Sequence, residues 1–221
     1  MKIDRHGKAK ILTQSEIQLL FSQGLQTNRD RALFGICLFS ACRINEAVTL
    51  QISDVLAPNG QVRPELIIRK GNTKGKLATR TIPVFEDLRS LLTNYHPPQV
   101  SVYLFPGLDG HNHINVDSAA RVFKKACSRV GIYGASTHSL RRTALTQMSD
   151  SGIPLRIVQE VSGHRNLSQL QKYLEVKPEQ VRGAIASLAM ISPLGNPSPK
   201  LTETDGKLNF TDIQKHHNTT N

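Results

Sequence analysis

The chain has 221 residues, of which 38% are hydrophobic, enough for one good-sized core. No apolar run approaches the ~18 residues of a membrane span, and no apolar stretch follows the basic residues at the N-terminus. We therefore expect a cytoplasmic protein with no membrane association. The cysteines number three, an odd count, and form no Cys-x-x-Cys pair, which argues against a disulfide framework and against a zinc site.

Charge is the first indication of a partner. Lys and Arg number 28 and Asp and Glu number 17, so the net charge is +11, which is suited to a polyanion such as nucleic acid. Aromatic residues make up only 5% and Trp is absent, so contact with the phosphates of double-stranded DNA is favoured over base stacking. The alternative reading of this charge is a solvated basic surface.

The first predicted elements are helical. A short basic lead covers residues 1–12, and Thr13 and Glu16 then have the spacing of a capping box, which predicts a helix over about 14–23. Asn28 is a candidate cap for a second apolar-periodic helix, and a third is predicted over about 44–50.

The pattern then changes to strands. Short runs rich in β-branched residues predict strands at 66–68 and 81–84, and a glycine-rich cationic loop over 70–76 joins them. This combination predicts a small β-hairpin with a basic tip.

The rest of the chain is again helical up to a polar tail. Helices are predicted over about 86–94, 116–130, 140–151, 154–161, 167–174 and 178–190. Glycines lie where three of these should end, at Gly131, Gly152 and Gly163. Residues 13–191 therefore read as one domain of the α+β class, mainly helical, and residues 192–221 as a disordered tail.

Two arginine motifs stand out. Arg43 precedes Glu46 by three residues at a helix start, so the carboxylate can orient the guanidinium. His138 and Arg141 are also three apart at a helix start, where both side chains and the helix N-terminus favour an anion. The structural alternatives are an ordinary surface ion pair and a histidine cap beside an exposed arginine.

Two further motifs supply a lysine and a tyrosine. Lys74 in the hairpin loop can reach toward a phosphate, and Lys70 and Lys76 are rivals for that role. Tyr173 follows His164 by nine residues, so a turn and a short helix can bring the two to one site. The structural alternatives are loop solubility and an ordinary core tyrosine.

These residue types fit phosphodiester transesterification. Two arginines can hold the non-bridging oxygens, where charge builds up in the transition state. A tyrosine hydroxyl with an ordinary pKa near ~10 must lose its proton as it attacks phosphorus, and His138 is a reasonable acceptor. A loop lysine can protonate the leaving sugar oxygen.

In this order the motifs resemble the tyrosine recombinases, the family of the phage integrases. The strings R-I-N-E, H-S-L-R and S-G-H-R-N, with the tyrosine nine residues after the last histidine, are similar to the family's three boxes. The segment from Thr73 to Pro83 is similar to the β-hairpin that carries the family's lysine. The resemblance covers about residues 13–190.

The resemblance implies a DNA site-specific recombinase that forms a 3′-phosphotyrosyl intermediate and a free 5′-hydroxyl, with no metal, no ATP and no other cofactor. It implies a nucleophile, a general acid, two phosphate-binding arginines, a histidine that assists proton transfer and a histidine that bonds the phosphate. These roles fall, respectively, on Tyr173, Lys74, Arg43 and Arg141, His138, and His164.

The sequence departs from the family at several points. Ser162 stands where a leucine is usual and Arg142 where a histidine is frequent, and both departures are expected to be peripheral. The catalytic motifs begin almost at once, so we expect a form without the N-terminal domain that completes a clamp around DNA in many relatives. The predicted helix over 178–190 has an apolar face suited to docking on a neighbouring protomer in a dimer or tetramer on DNA, or to packing on its own domain.

Three other functions remain open from the sequence. A DNA-binding accessory protein or relic would bind duplex DNA without cleaving it, and a type IB topoisomerase-like enzyme would relax supercoils by similar chemistry. A metal hydrolase is disfavoured, because there is no His-Glu-x-x-His motif and His111 and His113 lie in a predicted loop.

Overall fold

The structure, a computed structural model, describes residues 9–72, 78–98, 100–171 and 178–188. Most of these residues are helical. The helices are α1 (Gln14–Leu19), α2 (Asn28–Phe39), α3 (Ile44–Val48), α4 (Ile52–Val55), α5 (Glu86–Thr93), α6 (Val116–Arg129), α7 (Thr137–Asp150), α8 (Leu155–Ser162), α9 (Leu167–Gln171) and α10 (Pro178–Ser187). Within the described ranges, no helix has both the length and the hydropathy that crossing a membrane requires.

Over the described ranges, the sheet is one antiparallel hairpin of β1 (Glu65–Ile68) and β2 (Arg80–Pro83). Ile68 pairs with Arg80 at the end of the ladder that leads into the loop. The mainly helical α+β fold predicted from the sequence is therefore confirmed. A 3₁₀ turn over Lys70–Asn72 continues from β1, and residues 73–77 lie outside the described residues.

The capping box predicted before α1 is present. The Thr13 hydroxyl accepts the Glu16 N–H at 3.2 Å, and the Glu16 carboxylate accepts the Thr13 N–H at 3.0 Å. The predicted helix over 14–23 is not regular, because it continues as a π-helical turn over Leu20–Gly24.

The cap predicted for α2 is wrong by one residue. Thr27, not Asn28, is the N-cap, and its hydroxyl accepts the Asp30 N–H at 3.1 Å. The Asn28 side chain instead donates to the Asn94 carbonyl at 2.8 Å, which ties α2 to the end of α5. Thr27 and Asn28 both have side chains that can cap a helix, and Asn28 is instead used in the tertiary contact with Asn94.

The main core surrounds α2, which packs against both α5 and α7. The rings of Phe34 and Phe123 meet at a centroid distance of 5.0 Å, within the range of favourable aromatic pairs. A second, smaller core joins α7, α8 and α9. Its buried members are Ala41, Ala144, Leu145, Val158 and Leu170.

Helix α7 begins three residues earlier than the predicted residue 140. The Ser139 hydroxyl accepts the Ser136 N–H at 3.0 Å, which stabilises a start at Thr137. His138 therefore lies in the first turn of α7 and Arg141 one turn further on. Helix α8 ends at Gly163, whose φ of +61° is the left-handed conformation that favours glycine.

By its contacts the chain divides into two compact units, with α1–α9 and the hairpin in the first and α10 in the second. Among the described residues of α10 none is buried, and Val181, Ile185 and Leu188 are exposed. The predicted tail over 192–221 lies outside the described residues.

Candidate active site

Arg141 is the most deeply placed of the predicted site residues. Its side chain is only 2% exposed, Nη1 donates to the Ala41 carbonyl, and Nη2 donates to the Ser162 carbonyl at 2.9 Å. Burial, followed by the positive charge of Arg43, lowers the pKa of Arg141 to about 10, so it stays charged at neutral pH. Two uncharged carbonyls thus hold a charged guanidinium in one orientation.

Arg43 lies at the N-cap position of α3, beside the buried carboxylate of Glu46. Glu46 accepts the Arg43 backbone N–H at 2.8 Å and Arg43 Nη1 at 3.1 Å. The contact predicted from the three-residue spacing is therefore present. The Arg43 side chain remains 23% exposed. One nitrogen of its guanidinium therefore binds Glu46 while part of the side chain stays open to solvent.

Arg80, at the start of β2, binds the same carboxylate. Its Nη2 donates to Glu46 at 2.9 Å, and its Nε donates to the Val161 carbonyl at 3.2 Å. Burial by itself would raise the pKa of Glu46, but the hydrogen bond and charge of Arg80 and the Arg43 N–H hold that pKa below its ordinary value. We call Arg43, Glu46 and Arg80 the carboxylate cluster.

The turn after α8 fits closely around Arg80. A Cβ atom on Gly163 would lie 2.7 Å from Arg80 Nη1, and φ at this residue is positive. Only glycine meets both conditions. The hairpin, α3 and the Gly163 turn are therefore brought together by one arginine side chain.

His164 follows that turn and is buried beside Arg141. Its Nδ1 lies 2.7 Å from the Ser162 hydroxyl and its Nε2 lies 3.2 Å from Arg141 Nη2. Gln159 Nε2 donates to the His164 carbonyl at 3.0 Å, which fixes the backbone. We call Arg141, Ser162 and His164, with the Ala41 carbonyl, the carbonyl cluster.

The two predicted histidines are both neutral at physiological pH. Burial, and then the charges of Arg141 and Arg43, lower the pKa of His164 to about 3. The His138 side chain is exposed, yet partial desolvation and the charges of the same two arginines also lower its pKa. Because both arginines act on both rings, the four side chains share one electrostatic environment.

The remaining predicted residues, Lys74 and Tyr173, lie outside the described residues, as does Lys76. The structure does describe the segments that adjoin them along the chain. The loop end of the hairpin is beside the carboxylate cluster, because Arg80 pairs with Ile68 there. Leu170 in α9 is fully buried in the small core. Lys70, on the 3₁₀ turn, is exposed.

Sequence reasoning missed the role of one residue and misjudged two. Arg80 precedes the predicted strand over 81–84 and was given no role, and Ser162 was expected to be peripheral but is fully buried against His164. Arg142 is also buried, and its Nη1 donates to the Ala9 carbonyl at 2.5 Å. The departure of Ser162 and Arg142 from the family pattern was the signal that could have marked these two positions for attention.

The sequence is similar to curated tyrosine recombinases. The chain is 28% identical to the tyrosine recombinase XerA of Pyrococcus horikoshii, over 84% of this chain and 63% of that protein. It is 26% identical to the tyrosine recombinase XerD of Rickettsia conorii, over 80% of this chain and 63% of that protein. The chain thus spans less than two thirds of the length of these relatives.

Solved structures share the fold. A crystal structure of XerA recombinase aligns with a TM-score of 0.64 at 19% identity, over 80% of this chain and 64% of that chain. The catalytic domain of bacteriophage HP1 integrase aligns with a TM-score of 0.56 at 22% identity, over 86% of this chain and 99% of that chain. The sequence model of the phage integrase family matches residues 10–180, and the chain therefore belongs to that family, the tyrosine recombinases.

Proposed function

We propose that the chain is a site-specific DNA recombinase that cleaves and rejoins DNA through a 3′-phosphotyrosyl intermediate. One observation carries the proposal: the buried guanidinium of Arg141 binds the Ala41 carbonyl, two residues before Arg43, so the two arginines belong to one site. Two fixed, mutually repelling guanidinium groups gain stability when an anion binds between them. A phosphodiester is the anion that the basic chain, with its net charge of +11, is suited to meet.

The arginines would act on the transition state. When phosphorus becomes five-coordinate, negative charge grows on its two non-bridging oxygens, and donors already in place stabilise it without reorganisation. Arg141 is held by the carbonyls of Ala41 and Ser162, and Arg43 by Glu46. No carboxylate binds Arg141 within the part of the chain that the structure describes, so its charge is available to the phosphate.

The bond changes would be carried by Tyr173 and its partners. The phenol oxygen attacks phosphorus as its proton passes to His138, which is neutral and exposed and therefore able to accept it. The bond from phosphorus to the 5′ oxygen breaks, and Lys74 protonates that oxygen. Lys70 and Lys76 are the alternative donors. The phosphodiester energy is kept in the tyrosyl bond, so rejoining is the reverse of these steps.

His164 would support the phosphate rather than take protons. Its lowered pKa of about 3 keeps it neutral throughout the physiological range. It lies against Arg141 in the buried part of the site. We assign it a hydrogen bond to the scissile phosphate.

Double-stranded DNA is the proposed partner, and a dimer or tetramer on DNA the proposed assembly. XerH, a structural neighbour with a TM-score of 0.61 and 21% identity, is described bound to its difH substrate. The exposed apolar side chains of Val181 and Ile185 on α10, and of Leu188 directly after it, support contact with a second copy.

The test is covalent capture on nicked DNA. A pool of duplexes with a randomised centre and a nick close to the strand break lets the short 5′-hydroxyl fragment diffuse away, so the covalent complex accumulates. DNA that stays with the protein in denaturing detergent is then sequenced. We expect adducts with the wild type and with Tyr103→Phe, a tyrosine whose ring packs against His113, and none with Tyr173→Phe.

Three other outcomes would contradict part or all of the proposed function. Equal adducts with Tyr173→Phe would overturn the nucleophile assignment. Salt-sensitive duplex binding without any adduct would indicate a DNA-binding accessory protein. Relaxation of supercoiled plasmid by the monomer, without pairing of two sites, would indicate a topoisomerase-like enzyme.

A further inference from the structure

Two arginines flank the loop of the hairpin, and each binds a buried carboxylate. Arg80 begins β2, and its Nη2 donates to Glu46 of α3 at 2.9 Å. Arg69 directly follows β1, and its Nε donates to Asp54 of α4 at 2.5 Å. Both carboxylate side chains are at most 1% exposed. The two pairs are therefore the same kind of contact, and they differ in what else each pair joins.

The first difference lies at the start of the two helices. Each carboxylate belongs to the third residue of its helix and accepts the N–H of the residue before that helix. For α4 that residue is Gln51, at 2.9 Å, and for α3 it is Arg43, at 2.8 Å. The carboxylate that Arg80 binds is thus the one that also holds a proposed phosphate-binding side chain.

The second difference is the element that another nitrogen of each guanidinium reaches. Arg69 Nη2 donates to the Ser53 hydroxyl of α4 at 3.3 Å. Arg80 Nε donates to the Val161 carbonyl at 3.2 Å, in the last turn of α8 and three residues before His164. Arg80 therefore joins α3 to the segment that leads to His164, whereas these contacts of Arg69 join the end of β1 to α4.

The two oxygens of Glu46 have different partners. Oε2 accepts Arg80 Nη2 and the Arg43 backbone N–H, and Oε1 accepts Arg43 Nη1. Because donors on two different elements hold Oε2, the carboxylate is restrained from turning and Oε1 points in a fixed direction. The guanidinium of Arg43 takes its orientation from Oε1. Loss of Arg80 removes one of the donors at Oε2 and lets the carboxylate turn.

We propose that Arg80 is a positioning residue for phosphate binding. Through Glu46 it fixes the orientation of Arg43, and through the end of α8 it fixes the place of His164. Two acceptors on separate elements suit the forked guanidinium, whose donors have fixed angles, better than the ammonium group of a lysine. The consequence for DNA cleavage rests on the proposed function; the effect on the orientation of Arg43 does not.

The first test needs no DNA. Nitrogen NMR of the full chain labelled at arginine resolves the two Nη atoms of a side chain when rotation about its Nε–Cζ bond is slow, and Arg43→Lys identifies the Arg43 signals by their loss. We expect two resolved Nη signals for Arg43 in the wild type and in Arg69→Ala, because Glu46 holds one of these atoms. In Arg80→Ala the two signals should merge. Resolved signals in folded Arg80→Ala would overturn the proposal, as would merged signals in the wild type.

The second test is the single-turnover rate of covalent capture at saturating nicked DNA, where differences in DNA affinity do not contribute. Arg80→Ala should slow capture about 100-fold, as expected when a displacement of about 1 Å misaligns the groups that bind the phosphate. Arg69→Ala is the matched control, because it takes the arginine from an equally buried carboxylate, and it should match the wild type. Equal losses in the two variants would show that Arg80 acts only through stability and would contradict a positioning role.

Arg80→Lys keeps the proposal falsifiable if Arg80→Ala does not fold. It retains a positive charge beside Glu46 but lacks the fork that also reaches the Val161 carbonyl. We expect Arg80→Lys to capture DNA about tenfold more slowly than the wild type, and capture at the wild-type rate would overturn the proposal. If the wild type forms no adduct on any DNA but the Arg43 signals behave as expected, the proposed function fails and the positioning role of Arg80 stands.

Discussion

The carboxylate cluster and the carbonyl cluster hold their arginines by different means. Glu46 neutralises one of the two charges carried by Arg43 and Arg80. Arg141 is held by the uncharged carbonyls of Ala41 and Ser162, which orient it without cancelling its charge. The first cluster therefore has ionic support that depends on pH, and the second keeps a full positive charge for a ligand at the cost of burying it.

The largest effect on stability is expected in the carbonyl cluster. Arg141→Ala removes a fully buried side chain and leaves the Ala41 and Ser162 carbonyls without their donors. We expect the free energy of unfolding to fall by about 3–5 kcal/mol, measured by urea denaturation. Arg165→Ala, at an exposed arginine next to His164, should change it by less than about 0.5 kcal/mol. Similar losses in the two variants would show that the carbonyls do not anchor Arg141.

The carboxylate cluster should respond to loss of its one negative charge. Glu46→Gln keeps the shape of the side chain but leaves Arg43 and Arg80 with no counter-charge, and we expect a loss of about 2–4 kcal/mol in urea denaturation. Glu160→Gln is the matched control, because Glu160 pairs with Arg156 on the surface and should matter by at most about 0.5 kcal/mol. An equal effect of both changes would contradict the buried ionic support.

Gly163 lies where the two clusters meet, and its replacement should have a smaller effect on stability. Gly163→Ala places a methyl group against Arg80 in addition to straining a positive φ, so we expect a loss of about 2 kcal/mol. Gly152→Ala has the same strain, with φ +74°, and open space around it, so it should cost about 1 kcal/mol. Thermal unfolding of both variants measures the difference. Identical shifts would show that Arg80 moves aside freely.

The clusters should titrate in different pH windows. The pKa of His164 is lowered to about 3, so only the unfolded chain takes up this proton as pH falls below the ordinary value near ~6.5. Stability should then decrease by about 1 kcal/mol per pH unit between these two values. Glu46 has a lowered pKa, so its contribution is present above its ordinary value and lost only at more acidic pH.

Urea denaturation of two variants across pH separates these contributions. His164→Asn should flatten the slope near pH ~6, and Glu46→Gln should flatten only the acidic end. Slopes near pH ~6 that are the same in the wild type and His164→Asn would contradict a buried neutral histidine.

Local chemistry made much of the fold predictable. The Thr13 capping box, the hairpin and the helix that ends at Gly163 follow from residues three or four apart, or from alternation along one strand. The Arg43–Glu46 contact belongs to the same class, because a helix start places residues three apart on one face. Where two neighbouring residues can both cap a helix, as Thr27 and Asn28 can, the sequence did not predict which of them does so.

The sequence by itself determined the family, the order of the motif residues and the contacts within single helices. Tertiary structure alone decided that Arg80 would bind a carboxylate 34 positions away and that Arg141 would find its carbonyl 100 positions away. It also turned Ser162 from an expected peripheral position into a buried partner of His164. The physical reason is that buried charges and hydroxyls must find partners wherever packing brings them, and periodicity carries no record of which distant segment supplies them.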